Sequence, residues 1–170
     1  YEMFYDDAKL ASKELELTLT GRDCGQAERA PMCGVPFHSC EGYIARLVAK
    51  GYKVAICEQT EDPAKAKGLV KRDIIRVITP GTVMESSMLD ESKNNYICCM
   101  YSENKTIGLC FCDISTGELY ATEIRGNDSY NVLTNQLTSY NPREILIGGD
   151  IVKLKELPKF IKAKLSAGVE

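Results

Sequence analysis

The side chains of this sequence that could carry chemistry are thiols, carboxylates and a single imidazole. Eight cysteines are present, and four thiolates at suitable spacing would bind zinc tightly. No C-x-x-C pair occurs, and only Cys33, His38 and Cys40 lie close enough in sequence to suggest a metal cluster. The cysteines in apolar runs, where a reduced thiol packs like a small hydrophobic residue, are Cys57, Cys98, Cys99, Cys110 and Cys112. We therefore expect reduced, structural cysteines and no metal site.

The motifs of common enzymes are not present in the sequence. His38 is the only histidine, which leaves the general base of a nucleophilic mechanism hard to supply. There is no G-x-x-x-x-G-K-[ST] phosphate loop, no G-x-G-x-x-G and no G-x-S-x-G turn. A two-metal nuclease is an alternative, but it needs several carboxylates on neighbouring strands, and Asp113 is the only well-placed one. We expect Asp113 instead to accept hydrogen bonds from the turn at 115–117, and we expect no catalytic residue in this chain.

Composition places the chain among globular proteins. Hydrophobic residues make up 44% and charged residues 26% of its 170 positions. No apolar run reaches the roughly 18 residues of a membrane helix, and the segment from Tyr1 to Asp7 lacks the basic start of a secretion signal. We therefore expect a cytoplasmic location. Because the first residue is not Met and no terminating element follows Lys162, we also expect a segment of a longer protein.

Charge gives only a local hint of a nucleic-acid partner. The net charge of −3 provides no overall attraction to phosphates. Residues 64–76 are an exception, with five basic side chains against one acidic side chain. An ordinary solvated surface can have the same composition, so charge alone leaves the partner open.

The first half of the sequence predicts a small α/β unit. Apolar residues recur every three or four positions over residues 4–17, which indicates an amphipathic helix. A second helix is expected over 39–51, where Ser39 can cap its start and Gly51 can end it. Strands are expected at 52–59 and 71–79, with a short helix between them at 62–68. Together these elements predict a small mixed sheet.

The second half of the sequence has a different pattern of polar and apolar residues. Residues 83–94 are mostly polar and have little to bury, so they are the predicted linker between a domain at 1–82 and another at 95–170. The elements expected after the linker are strands at 96–102, 106–114 and 118–124, a helix at 128–140 and a strand at 144–147. A three-stranded meander followed by a helix and a strand is the opening half of an RNase H-like layout, although other α/β folds share this order.

Six sequence runs resemble, in order and spacing, the signatures of the bacterial MutS family of mismatch repair. They are Tyr1–Ala8, Pro31–His38, Val54–Gln59, Asp62-Pro63, Arg76–Thr82 and Asp113–Gly117. The resemblance implies a mismatch-binding domain to about Thr82, lacking its own start, and then a truncated RNase H-like connector domain without nuclease activity. It also implies a homodimeric parent protein, located at the nucleoid, whose ATP- and Mg-dependent ATPase domain lies outside this chain. The connector of this family contacts a MutL-like partner.

The family's reading site is a Phe-x-Glu motif, in which the Phe wedges beside a mispaired base and the Glu hydrogen-bonds to it. Tyr1-Glu2 matches the last two positions, so the Phe would directly precede Tyr1. A wedge must unstack a base step at a cost of a few kcal/mol, and a mismatched step resists less. The resemblance therefore implies Tyr1 and Glu2 as mismatch contacts, with duplex DNA containing mismatches or small loops as the partner.

Other residues in the matching segments are weaker candidates for the DNA surface. They are Arg22, Arg29, Met32, His38, Gln59, Lys71 and Arg72. No cofactor is expected within this chain. An alternative keeps the family but not the function: a MutS relative in which this segment has a structural or interaction role and recognises no mismatch.

Overall fold

The computed structural model describes residues 1–165 and 167–169. The chain forms two compact units, Tyr1–Val77 and Ile78–Glu170. Each unit combines helices with β-strands, so the predicted α/β class is confirmed. Among the described residues, no helix combines the length and the apolar character needed to cross a membrane.

The first unit contains a three-stranded antiparallel sheet covered by a helix. Strand β3 (Ala30–Gly34) lies in the centre, between β1 (Glu2–Phe4) and β2 (Thr20–Arg22). Helix α1 (Tyr5–Leu15) follows β1 directly and confirms the predicted amphipathic helix. The buried side chains that pack together here are Ala8, Ala11, Leu15, Cys33 and Leu47. This core fixes β1 and β3 relative to α1.

The rest of the first unit departs in two ways from the prediction. Helix α2 (Cys40–Ala49) is present, but a 3-10 turn at Phe37–Ser39 precedes it, and the Ser39 side chain makes no capping hydrogen bond. Strands β4 (Val54–Gln59) and β5 (Arg72–Ile78) form a separate two-stranded sheet. The single small sheet of the sequence prediction is therefore divided into two, because the short strands β1 and β2 pair with β3.

The predicted short helix at 62–68 is wrong. The segment forms turns, in which a side-chain oxygen of Asp62 accepts the N–H of Ala64 and the Asp62 carbonyl accepts the N–H of Lys65. No apolar stripe follows that could bury a longer helix, and Gly68 has a φ of +121°. A single turn of helix has too few internal hydrogen bonds to persist without such burial.

The second unit is a five-stranded sheet with the order β10-β9-β6-β7-β8. Its strands are β6 (Tyr96–Glu103), β7 (Thr106–Asp113), β8 (Glu118–Ile124), β9 (Glu144–Gly149) and β10 (Gly168–Val169). Strands β6, β7 and β8 form the predicted antiparallel meander, while β9 runs parallel to β6 and β10 parallel to β9. Asn104 and Lys105 turn β6 into β7, both with positive φ, as a two-residue type I′ hairpin requires.

Two helices contribute the core beside this sheet. Helix α3 (Ser129–Tyr140) matches the prediction, and it buries Leu133 and Leu137. Helix α4 (Glu156–Lys164) is not among the elements expected from the sequence; its Pro158 lies in the first turn, where a proline is tolerated. The buried side chains of α3 and α4 pack with those of the strands in one cluster.

Candidate functional site

Strand β1 holds Tyr1 and Glu2 against the end of β3. Glu2 lies opposite Gly34 in the register, and Tyr1 exchanges two backbone hydrogen bonds of 2.9 Å with Val35. A Cβ atom on residue 34 would lie 2.9 Å from the carbonyl oxygen of Tyr1. Gly34 therefore permits the close approach of β1. This explains why the Pro31–His38 run has a glycine at position 34.

The Tyr1 side chain joins two distant segments. Its hydroxyl donates a hydrogen bond to the Glu58 carboxylate, and its ring stacks on Phe37 with 5.6 Å between centroids and 29° between planes. The hydrogen bond to Glu58, followed by partial burial, raises the pKa of the Tyr1 phenol to about 12. The Phe37 ring remains 71% exposed. Tyr1 thus stabilises a small surface formed by β1, the 3-10 turn and β4.

The Glu2 carboxylate lies at the molecular surface. An oxygen of Glu2 is 2.6 Å from a guanidinium nitrogen of Arg22, and the two side chains are 48% and 55% exposed. The guanidinium carbon of Arg22 lies 6.0 Å from the centre of the Phe4 ring. A half-exposed carboxylate remains accessible to a hydrogen-bond donor from outside the chain.

Of the weaker candidates, His38 and Gln59 lie next to residues of this surface in sequence, whereas Met32 lies in β3 and Arg29 just before it. Met32 occupies the middle of β3, opposite Phe4 on one side and Thr20 on the other. His38 is exposed in the 3-10 turn next to Phe37, and Gln59 is exposed at the end of β4, next to Glu58. Arg29 is exposed directly before β3, and its Cβ lies close to Gly21. His38 and Gln59 are therefore sequence neighbours of the two residues that contact Tyr1.

The basic segment at 64–76 is partly neutralised by its own neighbours. Lys71 forms an ion pair of 3.0 Å with Asp73, and Lys65 lies 3.6 Å from Asp62. The Arg72 guanidinium donates to the carbonyl of Val70 at 3.2 Å. Lys71 and Arg72 are exposed. Their predicted contacts with phosphates stay predictions.

Two residues that the sequence did not single out are Phe37 and Glu58. Both lie inside runs that carry the family resemblance, beside the candidates His38 and Gln59. An exposed aromatic and a strand-end carboxylate are common surface residues, so their types give no signal. Phe37 lies 36 positions and Glu58 lies 57 positions from Tyr1 in the sequence. Only the folded chain brings these residues together, so their role in holding Tyr1 has no sequence signal.

The cysteines show no sign of a shared site. All eight are free thiols. Cys33 is buried under α1, where its thiol donates to the carbonyl of Ala8 at 3.4 Å, whereas His38 is exposed in the 3-10 turn. Within residues 1–165 and 167–169, no group of three or more His, Cys, Asp or Glu side chains could hold a metal ion.

Asp113 and Glu144 are buried carboxylates at the same edge of the second sheet. The predicted role of Asp113 is confirmed, since it accepts hydrogen bonds from the Ser115 hydroxyl and from the N–H groups of Ser115 and Thr116. It also accepts the N–H of Asn95 at 2.9 Å. Burial alone would raise the pKa of Asp113, but these donors together hold it below the ordinary 3.8. Asp113 therefore anchors loops.

Glu144 anchors the segment that enters the second unit. One of its oxygens accepts hydrogen bonds from the Thr79 hydroxyl and, at 3.0 Å, from the N–H of Gly81. The Asn95 side chain donates to the carbonyl of Pro80 at 3.0 Å. The buried Glu144 carboxylate thus fixes Pro80-Gly81-Thr82, the end of the family-like run Arg76–Thr82, to the sheet.

Comparison with known proteins identifies the family of the two segments. Residues 1–87 match the model of MutS domain I, and residues 95–167 match the model of MutS domain II. The proteins named DNA mismatch repair protein MutS in three bacteria are close relatives. That of Acetivibrio thermocellus is 54% identical over 164 residues, which cover 96% of this chain and 19% of the relative.

The other two relatives give the same result. That of Ruminiclostridium cellulolyticum is 55% identical over 99% of this chain and 19% of its own length, and that of Clostridium tetani is 56% identical over 92% and 18%. The chain therefore spans about a fifth of the length of these relatives. Matches of this extent to both family models and to the relatives show that the chain belongs to the MutS family.

Proposed function

We propose that this chain reads mispaired or unpaired bases in duplex DNA, as the mismatch-contacting part of a MutS mismatch repair protein. One observation carries the proposal: β1 presents the Glu2 carboxylate at the surface, while Tyr1 is fixed by Gly34, Phe37 and Glu58. A contact that must distinguish small differences in base geometry needs such a fixed support.

In this mechanism Glu2 accepts a hydrogen bond from a displaced base. A carboxylate attracts base N–H donors, and a hydrogen bond with an ionised partner is stronger than a neutral one. The family's Phe, directly before Tyr1, would continue from the end of β1 into the groove. Discrimination then comes from how easily the base step opens, since a mismatched step is easier to unstack and kink than a matched one.

The remaining assignments follow from the family. We assign the mismatch-binding domain to 1–82, the linker to 83–94 and the connector to 95–170, with an RNase H-like connector that contacts a MutL-like partner. The whole protein is proposed to be a homodimer at the nucleoid, with ATP and Mg bound in domains outside this chain. The seven weaker candidates are proposed to contact or border the DNA.

A chimera tests this proposal. Residues 1–170 replace the matching segment of the full-length Acetivibrio thermocellus relative, and the dissociation constants for a mismatched and a matched duplex are measured at several salt concentrations. Salt is varied because the affinity that comes from phosphate contacts falls strongly as the salt concentration rises. We expect the chimera to prefer the mismatched duplex. If the parent discriminates and the folded chimera binds both duplexes equally, the chain has only a structural role.

Glu2→Ala in the chimera tests the site itself. We expect the preference for the mismatched duplex to fall about ten- to a hundredfold, because a hydrogen bond to a charged group is worth roughly 1.5–3 kcal/mol. Glu123→Ala is the matched control, since Glu123 is an exposed carboxylate paired with Arg125 at 3.0 Å in the second unit. The control should leave the preference unchanged.

A further inference from the structure

We propose that Arg22 is a positioning residue that exchanges partners when a mismatch is read: it holds Glu2 in the free protein and moves to a DNA phosphate when a base takes the carboxylate. This inference rests on the proposed function of Glu2. It differs from the expectation that Arg22 simply contacts phosphates, because it couples that contact to the identity of the base step.

The register shows how far Arg22 reaches to make this pair. Arg22 lies on β2 opposite Ala30, whereas Glu2 lies on β1 opposite Gly34, at the other edge of the three-stranded sheet. The Arg22 guanidinium reaches Glu2, and its carbon lies 6.0 Å from the centre of the Phe4 ring, at the limit of a cation–π interaction. Arginine suits this position, because its planar group can contact an aromatic ring and a carboxylate at once.

The charges explain why the pair should open on mismatched DNA. An unpaired Glu2 would be repelled by phosphates, so Arg22 lowers the cost of bringing this surface to the duplex. In a matched step the bases stay stacked and their Watson–Crick donors are already paired, so no base is displaced towards Glu2 and the ion pair stays closed. A displaced base offers an N–H to Glu2, and Arg22 is then released next to a phosphate backbone that attracts it.

The exposure of the pair makes such an exchange feasible. Both side chains are about half exposed, and exposed ion pairs contribute little net stability because water solvates both partners. A base and a phosphate together can therefore replace the internal pair. Arg29 offers a contrast: it is exposed directly before β3, and among the residues that the structure describes it forms no ion pair.

A double-mutant cycle in the chimera tests the exchange. Arg22→Ala, Glu2→Gln and the double variant are compared by the ratio of the dissociation constants for matched and mismatched duplexes. We expect Arg22→Ala to lower this ratio about two- to fivefold, the range that an exposed ion pair supports. In the Glu2→Gln background, Arg22→Ala should lower the ratio no further, because residues that act through one contact are not additive.

Salt dependence gives a second readout that a merely structural role would not change. The proposal predicts that Arg22→Ala reduces the slope of log affinity against log salt by about 1 for the mismatched duplex only, because only there does Arg22 meet a phosphate. The matched control Arg29→Ala should change both duplexes equally.

The possible outcomes separate the two proposals. Equal slopes and an unchanged ratio for Arg22→Ala, in a chimera that still discriminates, would overturn the exchange and leave Glu2 as the reading residue. Additive effects of the two substitutions on the ratio would overturn it as well. Loss of discrimination in the unsubstituted, folded chimera would overturn the proposed function and this inference with it.

Discussion

Gly81→Ala should strongly destabilise the second unit. The N–H of Gly81 donates to a Glu144 oxygen at 3.0 Å, and Glu144 is only 3% exposed. A Cβ atom on residue 81 would lie 2.8 Å from the Cβ of Glu144, 2.9 Å from that oxygen and 3.1 Å from the Cβ of Ile97. Two of these three atoms are Cβ atoms on strands β6 and β9, which cannot move without disturbing the sheet.

Two effects set the size of the loss. Forcing a methyl group into a filled space costs about 1–3 kcal/mol. Displacing Glu144 also weakens its hydrogen bonds to Gly81 and Thr79, and an unsatisfied buried group costs about 1–3 kcal/mol. Because the two effects relieve each other in part, we expect the free energy of unfolding to fall by about 2–4 kcal/mol. For a domain of this size that is a drop of roughly 10–25 °C in melting temperature.

Thermal unfolding followed by circular dichroism measures this loss, and hydrogen exchange of the β6 and β9 amides assigns it to the second unit. Gly108→Ala is the matched control, since a Cβ there would meet only the carbonyl oxygen of Tyr101 at 3.8 Å. The control should stay within about 0.5 kcal/mol of the unsubstituted chain. A Gly81→Ala variant as stable as the control would refute the proposed packing of Pro80-Gly81-Thr82 on Glu144.

Three further predictions concern single contacts. Glu58→Gln should bring the pKa of the Tyr1 phenol down from about 12 towards its ordinary 10.0. In a titration followed by ultraviolet absorbance, one tyrosine should then ionise at a lower pH. An unchanged titration curve would contradict the hydrogen bond between Tyr1 and Glu58. Asp113→Asn should lower the free energy of unfolding by about 1–3 kcal/mol at pH 7. The pKa of Asp113 in the folded chain lies below 3.8. Its contribution to the free energy of unfolding is therefore complete above pH 3.8 and is lost as the pH falls through the folded pKa. The urea unfolding curves of the variant and the original chain should converge in acid. Gly34→Ala should displace the Tyr1 carbonyl and reduce the mismatch preference of the chimera, while its affinity for matched duplex changes little.

The sequence predicted the elements whose patterns are local. The strands β6, β7 and β8 are β-prone runs joined by short turns, and α1 and α3 have apolar residues at helical spacing, so each was found within a few residues. Helix α4 was missed; it has Pro158 in its first turn, and a proline weakens the sequence signal of a helix. Strands β1 and β3 were missed because they are short and their pairing joins residues about thirty positions apart.

The candidate site was predicted only as far as its motif. The resemblance named Tyr1 and Glu2, but it could not show that Phe37 and Glu58 hold Tyr1, or that Arg22 reaches Glu2. These contacts depend on side-chain directions across the sheet and on the return of the chain after α2. No pattern within one segment contains that information.

Site-specific photo-cross-linking shows whether the surface around Tyr1 and Glu2 meets the mispaired step. A photoreactive phenylalanine analogue is placed at position 37 of the chimera, where the exposed ring contacts Tyr1, and the cross-linked nucleotide is mapped on a duplex with one mismatch. A second variant carries the analogue at Leu119, which is 64% exposed on β8 of the second unit. We expect cross-links from position 37 to concentrate at or next to the mispaired step, and none there from position 119. Cross-links from position 37 spread evenly along the duplex, or absent while the chimera still prefers mismatched DNA, would contradict it.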